Sequence, residues 1–246
     1  MFRKTAQPFF TAYALITFLA GLCITFPFYV LFSIGNNATA RRIIYHIVKL
    51  WAESWLLVTG MRVTRSGPRP GAGRYVAVVN HSSYLDSVVL FPALPSYFRP
   101  LGKKEFSKIP VMGFLYKQLA IMVDRSSTES RAKSMKLMWR VLKNEADIII
   151  FPEGTFNETD APLKEFYNGA FKLAISSQTP ILPMLFPDTV NRWHYSAWWK
   201  LWPGINRVIY LDAVPVAGMT VADIPMLKDK VYALMEAELL KYKKGN

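Results

Sequence analysis

The spacing of apolar positions changes along this chain, and each change predicts a different element. From Thr5 to Ala40 there is no charged residue, and Phe9 to Ile34 is almost wholly apolar. At the rise of an α-helix that stretch reaches roughly 39 Å, enough to cross a bilayer. Pro27 predicts a bend in it, and Gly35-Asn36-Asn37 a turn after it. From Arg41 to Thr59 the spacing becomes amphipathic. Ile44, Ile47, Val48, Trp51, Trp55 and Val58 share one helical face, and Arg42, His46, Lys49 and Glu53 share the other. Such a helix can belong to the core of a soluble domain or to a hydrophobic hairpin seated on a membrane. The tryptophans and flanking cations suit a membrane interface and favour the hairpin.

After Gly60 the period shortens. Met61–Thr64 and Tyr75–Val79 predict strands around a Gly/Pro-rich turn at Gly67–Gly73. Gly71-Ala72-Gly73 lacks a third glycine and precedes a strand, so it is a loop and not a dinucleotide fingerprint. Ser82 or Ser83 is placed to cap a helix through Leu85–Leu90. Strands are predicted at Ile121–Val123, Asp147–Phe151, Ile181–Phe186 and Ile205–Leu211, and helices at Ser127–Asn144 and Tyr167–Ser176. A last helix runs from Pro225, with Leu227, Val231 and Leu234 on one face and lysines at its end. The β–α alternation predicts an α/β fold: a mixed, mainly parallel sheet covered by helices. A two-helix membrane-associated segment over residues 1–60 would precede an α/β domain over 61–246.

Charge narrows the partners. Thirty Lys and Arg against 17 Asp and Glu give a formal net charge of +13 over 246 residues, which draws anions. No basic helix, zinc-ligand spacing or RNP-like aromatic sheet accompanies the charge, so nucleic acid is not the expected partner. Anionic headgroups and acidic soluble substrates fit better. Cys23 is the single cysteine, so there is no intrachain disulfide and no Cys-based zinc site. Basic residues on both sides of the apolar stretch (Arg3, Lys4, Arg41 and Arg42) give no orientation. Ala38-Thr39-Ala40 is similar to a signal-peptidase site, but the apolar run far exceeds a secretory h-region.

Of the three histidines, His46 falls on the polar face of the amphipathic helix and His194 in an aromatic loop. His81 alone closes a strand, where side chains converge in α/β folds, and Asp86 follows in the first turn of the next helix. An imidazole with a carboxylate at this spacing is a candidate general base with its orienting partner. Ser82 and Ser83 adjoin the histidine without a Gly-x-Ser-x-Gly elbow, so a substrate hydroxyl is the expected nucleophile. No second histidine stands at ligand spacing, and no metal is expected. Glu153-Gly154-Thr155 closes a second apolar run, and its turn amides are candidates for an oxyanion or a hydroxyl. Arg125 ends a short apolar strand, a good place for a phosphate clamp.

Taken together these blocks resemble the PlsC-type glycerolipid acyltransferases, the family of 1-acylglycerol-3-phosphate acyltransferases. The His-x4-Asp block is Asn80 to Asp86, and the second runs from Gly102-Lys103-Lys104-Glu105-Phe106 through Ile109-Pro110 and Gly113 to Asp124-Arg125. The third is Phe151-Pro152-Glu153-Gly154-Thr155 and the fourth Ile181-Leu182-Pro183. The resemblance implies that His81 and Asp86 are the catalytic pair. It implies that Arg125 and Glu153, Gly154 and Thr155 handle a glycerol phosphate acceptor, with Lys103 nearby. The implied reaction moves an acyl group from acyl-CoA or acyl carrier protein to the sn-2 hydroxyl of 1-acylglycerol 3-phosphate, without a metal or other cofactor. It implies an enzyme at the membrane surface, bound to anionic lipid, with its site facing the cytoplasm. Two departures bear on the acceptor. Phe156 follows the Glu-Gly-Thr triplet where the family often has arginine, and Phe166-Tyr167 stands where it often has Phe-Lys. Another lyso-lipid, such as a lyso-amino-acid lipid or lysophosphatidylcholine, is therefore the alternative acceptor, and a catalytically idle membrane-binding module the alternative of another class.

Overall fold

The computed structural model describes residues 2–35, 37–124 and 126–244. In chain order the elements are α1 (Phe2–Ser33), α2 (Ala38–Val58), β1 (Val63–Ser66), β2 (Val76–Val79), α3 (Asp86–Ala93), β3 (Phe98–Lys103), α4 (Met112–Leu119), β4 (Ile121–Val123), α5 (Thr128–Asn144), β5 (Asp147–Ile150), α6 (Gly169–Ser177), β6 (Ile181–Leu185), α7 (Thr189–Arg192), β7 (Asn206–Tyr210) and α8 (Ile224–Lys244). They divide into two compact units. The first holds Met1–Arg65, Ser82–Pro95 and Phe186–Val208, and the second Ser66–His81, Ser96–Leu185 and Ile209–Asn246.

The first unit is built on a helical hairpin. Within α1, Thr5–Ser33 is long and apolar enough to cross a membrane, and only 11% of its most apolar window is buried. Phe9, Ile16, Ile24 and Leu31 all face outward. Asn37 caps α2, its side chain accepting the Ala40 N–H at 2.8 Å. The two helices run antiparallel. Tyr13 donates its hydroxyl to the Val58 carbonyl (3.0 Å), Trp55 donates its indole N–H to Ala14 (2.9 Å), and the Phe18 ring lies 4.7 Å from Trp51. A side chain at Gly21 would collide with the Trp51 ring, so glycine sets how closely the helices approach here. The buried face of α2 carries Ile44, Val48, Trp51 and Trp55 as its period predicts. Val58 does not belong to it: it is exposed, while Tyr45 and Leu56 are buried. The helix ends at Val58, and one face of a helix this long drifts around the axis, bringing Leu56 inward in its place.

The second unit is a sheet covered by helices. β6, β2, β5, β3 and β4 lie side by side in that order, and all four pairings are parallel. Ile209 and Tyr210 of β7 pair antiparallel with β6 on its other side. Every residue of β2, β5 and β6 is buried, as expected of strands with both faces covered. α6 packs on β2, α8 on β6, and α5 on β4 and β5. Ser127 caps α5 through the Ser130 N–H (3.1 Å). On α8 the buried stripe is Leu227, Val231, Met235 and Leu239, whereas the expected Leu234 is exposed. A steady four-residue step carries the stripe to Met235 and leaves Leu234 at its edge.

At the amino end of β5, Asp147 is buried. One carboxylate oxygen accepts the Tyr75 N–H (3.1 Å), and the other accepts the Ser96 hydroxyl. Burial pushes its pKa up, against the opposing pull of the Ser96 hydroxyl, the Tyr75 amide and the Arg74 charge.

Candidate functional site

Parallel strands present their carboxyl ends together, and in the second unit these ends carry the motifs. β2 runs out into Asn80-His81 and β5 into Phe151-Pro152-Glu153, and β3 ends at Lys103. The His81 ring stacks on Phe151, with centroids 4.0 Å apart and planes 16° from parallel, and Phe156 approaches it at 4.4 Å. The histidine backbone is pinned on both sides. Its N–H donates to one oxygen of Glu153 (2.8 Å), and its carbonyl accepts the Asn157 N–H (2.7 Å). The second oxygen of Glu153 accepts the Lys164 N–H at 2.9 Å. Glu153 is only 2% exposed, so both oxygens serve backbone donors rather than open solvent.

Gly154 adopts a φ of +76°, a conformation that favours glycine. Its N–H closes the turn onto the Phe151 carbonyl (3.1 Å), so this amide already has an acceptor. Thr155 is exposed, and its hydroxyl accepts the Lys164 ammonium at 2.8 Å. Lys103 is half-exposed, 3.8 Å from Glu105, and Lys104 stands 3.8 Å from Asp124. Hydrogen bonds from the Ser126 hydroxyl and amide hold the Asp124 carboxyl below its usual range. A side chain at Gly102 would strike the Tyr116 hydroxyl, which accounts for the glycine one residue before Lys103. Arg125 lies outside the described residues. Among the described residues no three His, Cys, Asp or Glu side chains converge to hold a metal.

Asp86 lies in the first unit and is fully buried. One oxygen accepts the N–H groups of Ser82 (2.8 Å) and Ser83 (2.9 Å), and the other accepts the Thr189 hydroxyl at 2.5 Å. This replaces the serine cap expected from the sequence. The residue before α3 is Leu85, with no side-chain cap, and the carboxylate reaches back to the preceding amides instead. Ser83 is occupied elsewhere: its hydroxyl donates to the Trp193 carbonyl (2.5 Å) and accepts the Leu85 N–H (3.0 Å). A hydroxyl spent on two backbone groups is poorly placed to act as a nucleophile. His46 is exposed on α2, and His194 engages the Ser196 hydroxyl at 2.8 Å.

Sequence reasoning did not find Thr189, Lys164 or the two phenyl rings around His81. Thr189 is 103 residues from its carboxylate partner. Lys164 reads as one lysine among many, and Phe151 and Phe156 read as apolar strand and turn residues. Only the fold brings them to their partners.

Comparison with known proteins bears on what these elements do. Residues 58–186, just over half of the chain, match the family model described as Acyltransferase. Human 1-acyl-sn-glycerol-3-phosphate acyltransferase beta is 30% identical over 199 residues, covering 79% of this chain and 70% of that protein. The 1-acyl-sn-glycerol-3-phosphate acyltransferase of Haemophilus influenzae is 28% identical over 199 residues, covering 78% and 80%. The crystal structure of PlsC, the 1-acyl-sn-glycerophosphate acyltransferase of Thermotoga maritima, superposes with a TM-score of 0.74 at 19% identity over 98% of each chain, a likeness of fold.

Proposed function

The chain belongs to the acyltransferase family, and on that premise we propose that it acylates the sn-2 hydroxyl of 1-acylglycerol 3-phosphate to give phosphatidic acid. The acyl donor is a thioester, acyl-CoA or acyl carrier protein, and no metal or bound cofactor takes part. The single observation behind the mechanism is the setting of His81, a partly exposed residue clamped by its own backbone at the carboxyl end of β2. His81 removes the proton from the acceptor hydroxyl as that oxygen attacks the thioester carbonyl carbon. The C–S bond breaks, and the imidazolium returns its proton to the leaving thiolate. Asp86 is the orienting carboxylate, which fixes the tautomer and stabilises the imidazolium. Its bonds to Thr189, Ser82 and Ser83 support this role by holding it rigid.

Lys103 and Arg125, together with the Glu153-Gly154-Thr155 turn, receive the glycerol phosphate. Within the turn Glu153 positions His81 and Lys164 through their amides, and Thr155 with Lys164 offers the exposed polar contact. A second reading, transfer to a lyso-lipid without a phosphomonoester, is favoured by one observation. Phe156 lies against His81, and its ring offers a phosphate no charge. The helical hairpin seats the enzyme in one leaflet, with the site facing the cytoplasm where acidic thioester donors are found and the +13 charge drawn to anionic lipid.

Incubating the purified protein with labelled acyl donor and a panel of lyso-lipids tests this reading. Phosphatidic acid should be the main product. Preference for a lyso-lipid without the phosphomonoester would select the second reading, and no product from any acceptor would reduce the chain to a membrane-binding module. Labelling of residues 2–4 and of the second unit from opposite faces of a vesicle would refute the one-leaflet hairpin.

A further inference from the structure

Two clefts open in the first unit beside the amino-terminal part of α1. One, of about 620 Å³, is walled by Pro8, Ala12, Leu15 and Trp199. The other, of about 490 Å³, is walled by Val190, Asn191, His194, Ser196 and Ala197. Gln7 and Lys200 line both, so the clefts meet at an amide and a cation. One arm is mainly apolar and the other mixed, with Asn191, His194 and Ser196 beside Val190 and Ala197, and among the described residues no acidic side chain lines either.

The segment that forms the outer wall is held in place. Trp193 and Leu201 pair as an antiparallel bridge, and the Leu201 N–H donates to the Thr11 hydroxyl of α1 at 3.1 Å. Trp202 packs edge-on against Phe10, with centroids 6.0 Å apart. At the tip of this braced segment Trp198 and Trp199 are 57% and 51% exposed, although large aromatic rings are rarely left so open without a partner. Beside them runs the bare apolar surface of α1, with Phe9 77% and Ile16 66% exposed. Exposed tryptophans, a lysine and an adjoining apolar helix are the side chains that favour the headgroup level of a bilayer.

We propose that the paired clefts bind an anionic phospholipid of the bilayer, one that is held and not acylated. Its phosphodiester sits at Lys200 and Gln7, its polar headgroup fills the arm of Asn191, His194 and Ser196, and an acyl chain follows the Pro8–Leu15 arm under Trp199. The site fixes α1 at a set depth in the leaflet. A free anion would leave the apolar arm and Trp199 in water, so the fit is to a lipid.

The test measures phosphatidylglycerol and phosphatidylcholine retained by the full chain in detergent, read by native mass spectrometry. The wild-type chain should retain phosphatidylglycerol in preference to phosphatidylcholine. Lys200→Gln should lower phosphatidylglycerol affinity about five-fold, the equivalent of about 1 kcal/mol for one cation near a headgroup. Ala12→Trp fills the apolar arm without touching charge, and should lower the affinity for both lipids. Ala12 is exposed, so the larger ring need not disturb the fold. Lys133→Gln removes an exposed cation on α5, where it pairs with Glu129 at 2.6 Å, and should leave retention unchanged. Retention unaffected by both cleft variants, or an equal loss with Lys133→Gln, would overturn the proposal. Displacement of the retained lipid by lysophosphatidic acid at a similar concentration would make the clefts a substrate route and overturn it too. Acyl transfer to a soluble short-chain acceptor should persist in both cleft variants, so this proposal and the reaction fail separately.

Discussion

The two ends of β2 are held by the same device and put to different uses. At the amino end the buried carboxylate of Asp147 accepts the Tyr75 N–H, and at the carboxyl end that of Glu153 accepts the His81 N–H. Both acids belong to the neighbouring strand β5 or its exit, so a carboxylate at each end of one strand sets the position of the next. At the amino end the second oxygen takes the Ser96 hydroxyl and the site is sealed. At the carboxyl end the second oxygen takes the Lys164 amide, and the residue anchored by the first, His81, is partly exposed. The lesson is that a buried acid on a strand end is first an anchor for backbone. In the proposed mechanism Glu153 bears on the chemistry only because the residue it anchors is His81.

The largest contrast between the ends should come from the side chain that only one of them has. His81→Ala is expected to lower acyl transfer by about 10²–10⁴-fold, the usual value of a general base, with only a modest fall in thermal midpoint from the lost contacts to Phe151 and Phe156. Turnover near wild type from a folded variant would remove the mechanism and reduce the two ends to equivalent structural clamps.

Breaking the carboxyl-end clamp should affect fold and turnover together. Glu153→Ala strands the N–H groups of His81 and Lys164, at a cost of about 1–3 kcal/mol for each that stays dry. A midpoint lower by about 2–4 °C per kcal/mol follows for a chain of this size, read by scanning calorimetry, and acyl transfer should fall as His81 loses its place. Glu153→Gln keeps one acceptor and should recover part of both losses. Loss of turnover with full stability would instead make Glu153 a residue that contacts substrate.

Smaller again is the aromatic packing on the imidazole. Phe156→Ala should cost about 0.5–1.5 kcal/mol from the lost ring contact, visible as a modest shift in midpoint. If Phe156 disfavours a phosphomonoester acceptor, Phe156→Arg should raise the relative rate with lysophosphatidic acid over lysophosphatidylcholine. An unchanged ratio would separate the ring from acceptor choice.

Much of this contrast is legible in the sequence, but unevenly. β2 and β5 are short apolar runs that end in His81 and Glu153, so their type and the direction of their exits could be read directly. The hairpin is equally open, because α1 carries no charge from Thr5 onward and α2 keeps a helical stripe. β3 was hidden. Its residues Phe98–Lys103 include Arg99, Pro100 and Gly102, which match no strand pattern. It forms because β5 and β4 supply ladders on both sides, and because the buried Arg99 finds the Leu119 carbonyl (3.2 Å) and Glu145 (3.9 Å). In the same way Asp86 is visible in its spacing from His81, whereas Thr189, which supports it, becomes a neighbour only in three dimensions.

The smallest expected effect lies at the sealed end, and its sign depends on pH. Burial raises the Asp147 pKa in the folded chain above the unfolded value of about 3.9. The folded state thus binds this proton more tightly than the unfolded state does. The stability linked to it is complete below about pH 3.9 and is lost as pH rises through the raised folded value. Asp147→Asn does not titrate. Its amide oxygen can still accept the Tyr75 N–H, and its NH₂ can donate to the Ser96 hydroxyl, so both hydrogen bonds have a counterpart. The midpoint of the variant relative to wild type should therefore rise with pH through that window and level off above it, while acyl transfer at neutral pH stays the same. A difference that does not vary with pH would mean that burial of the charge costs the fold nothing. A loss of activity in a stable Asp147→Asn would mean that the amino-end clamp reaches His81 along β2, and that the two ends are not independent.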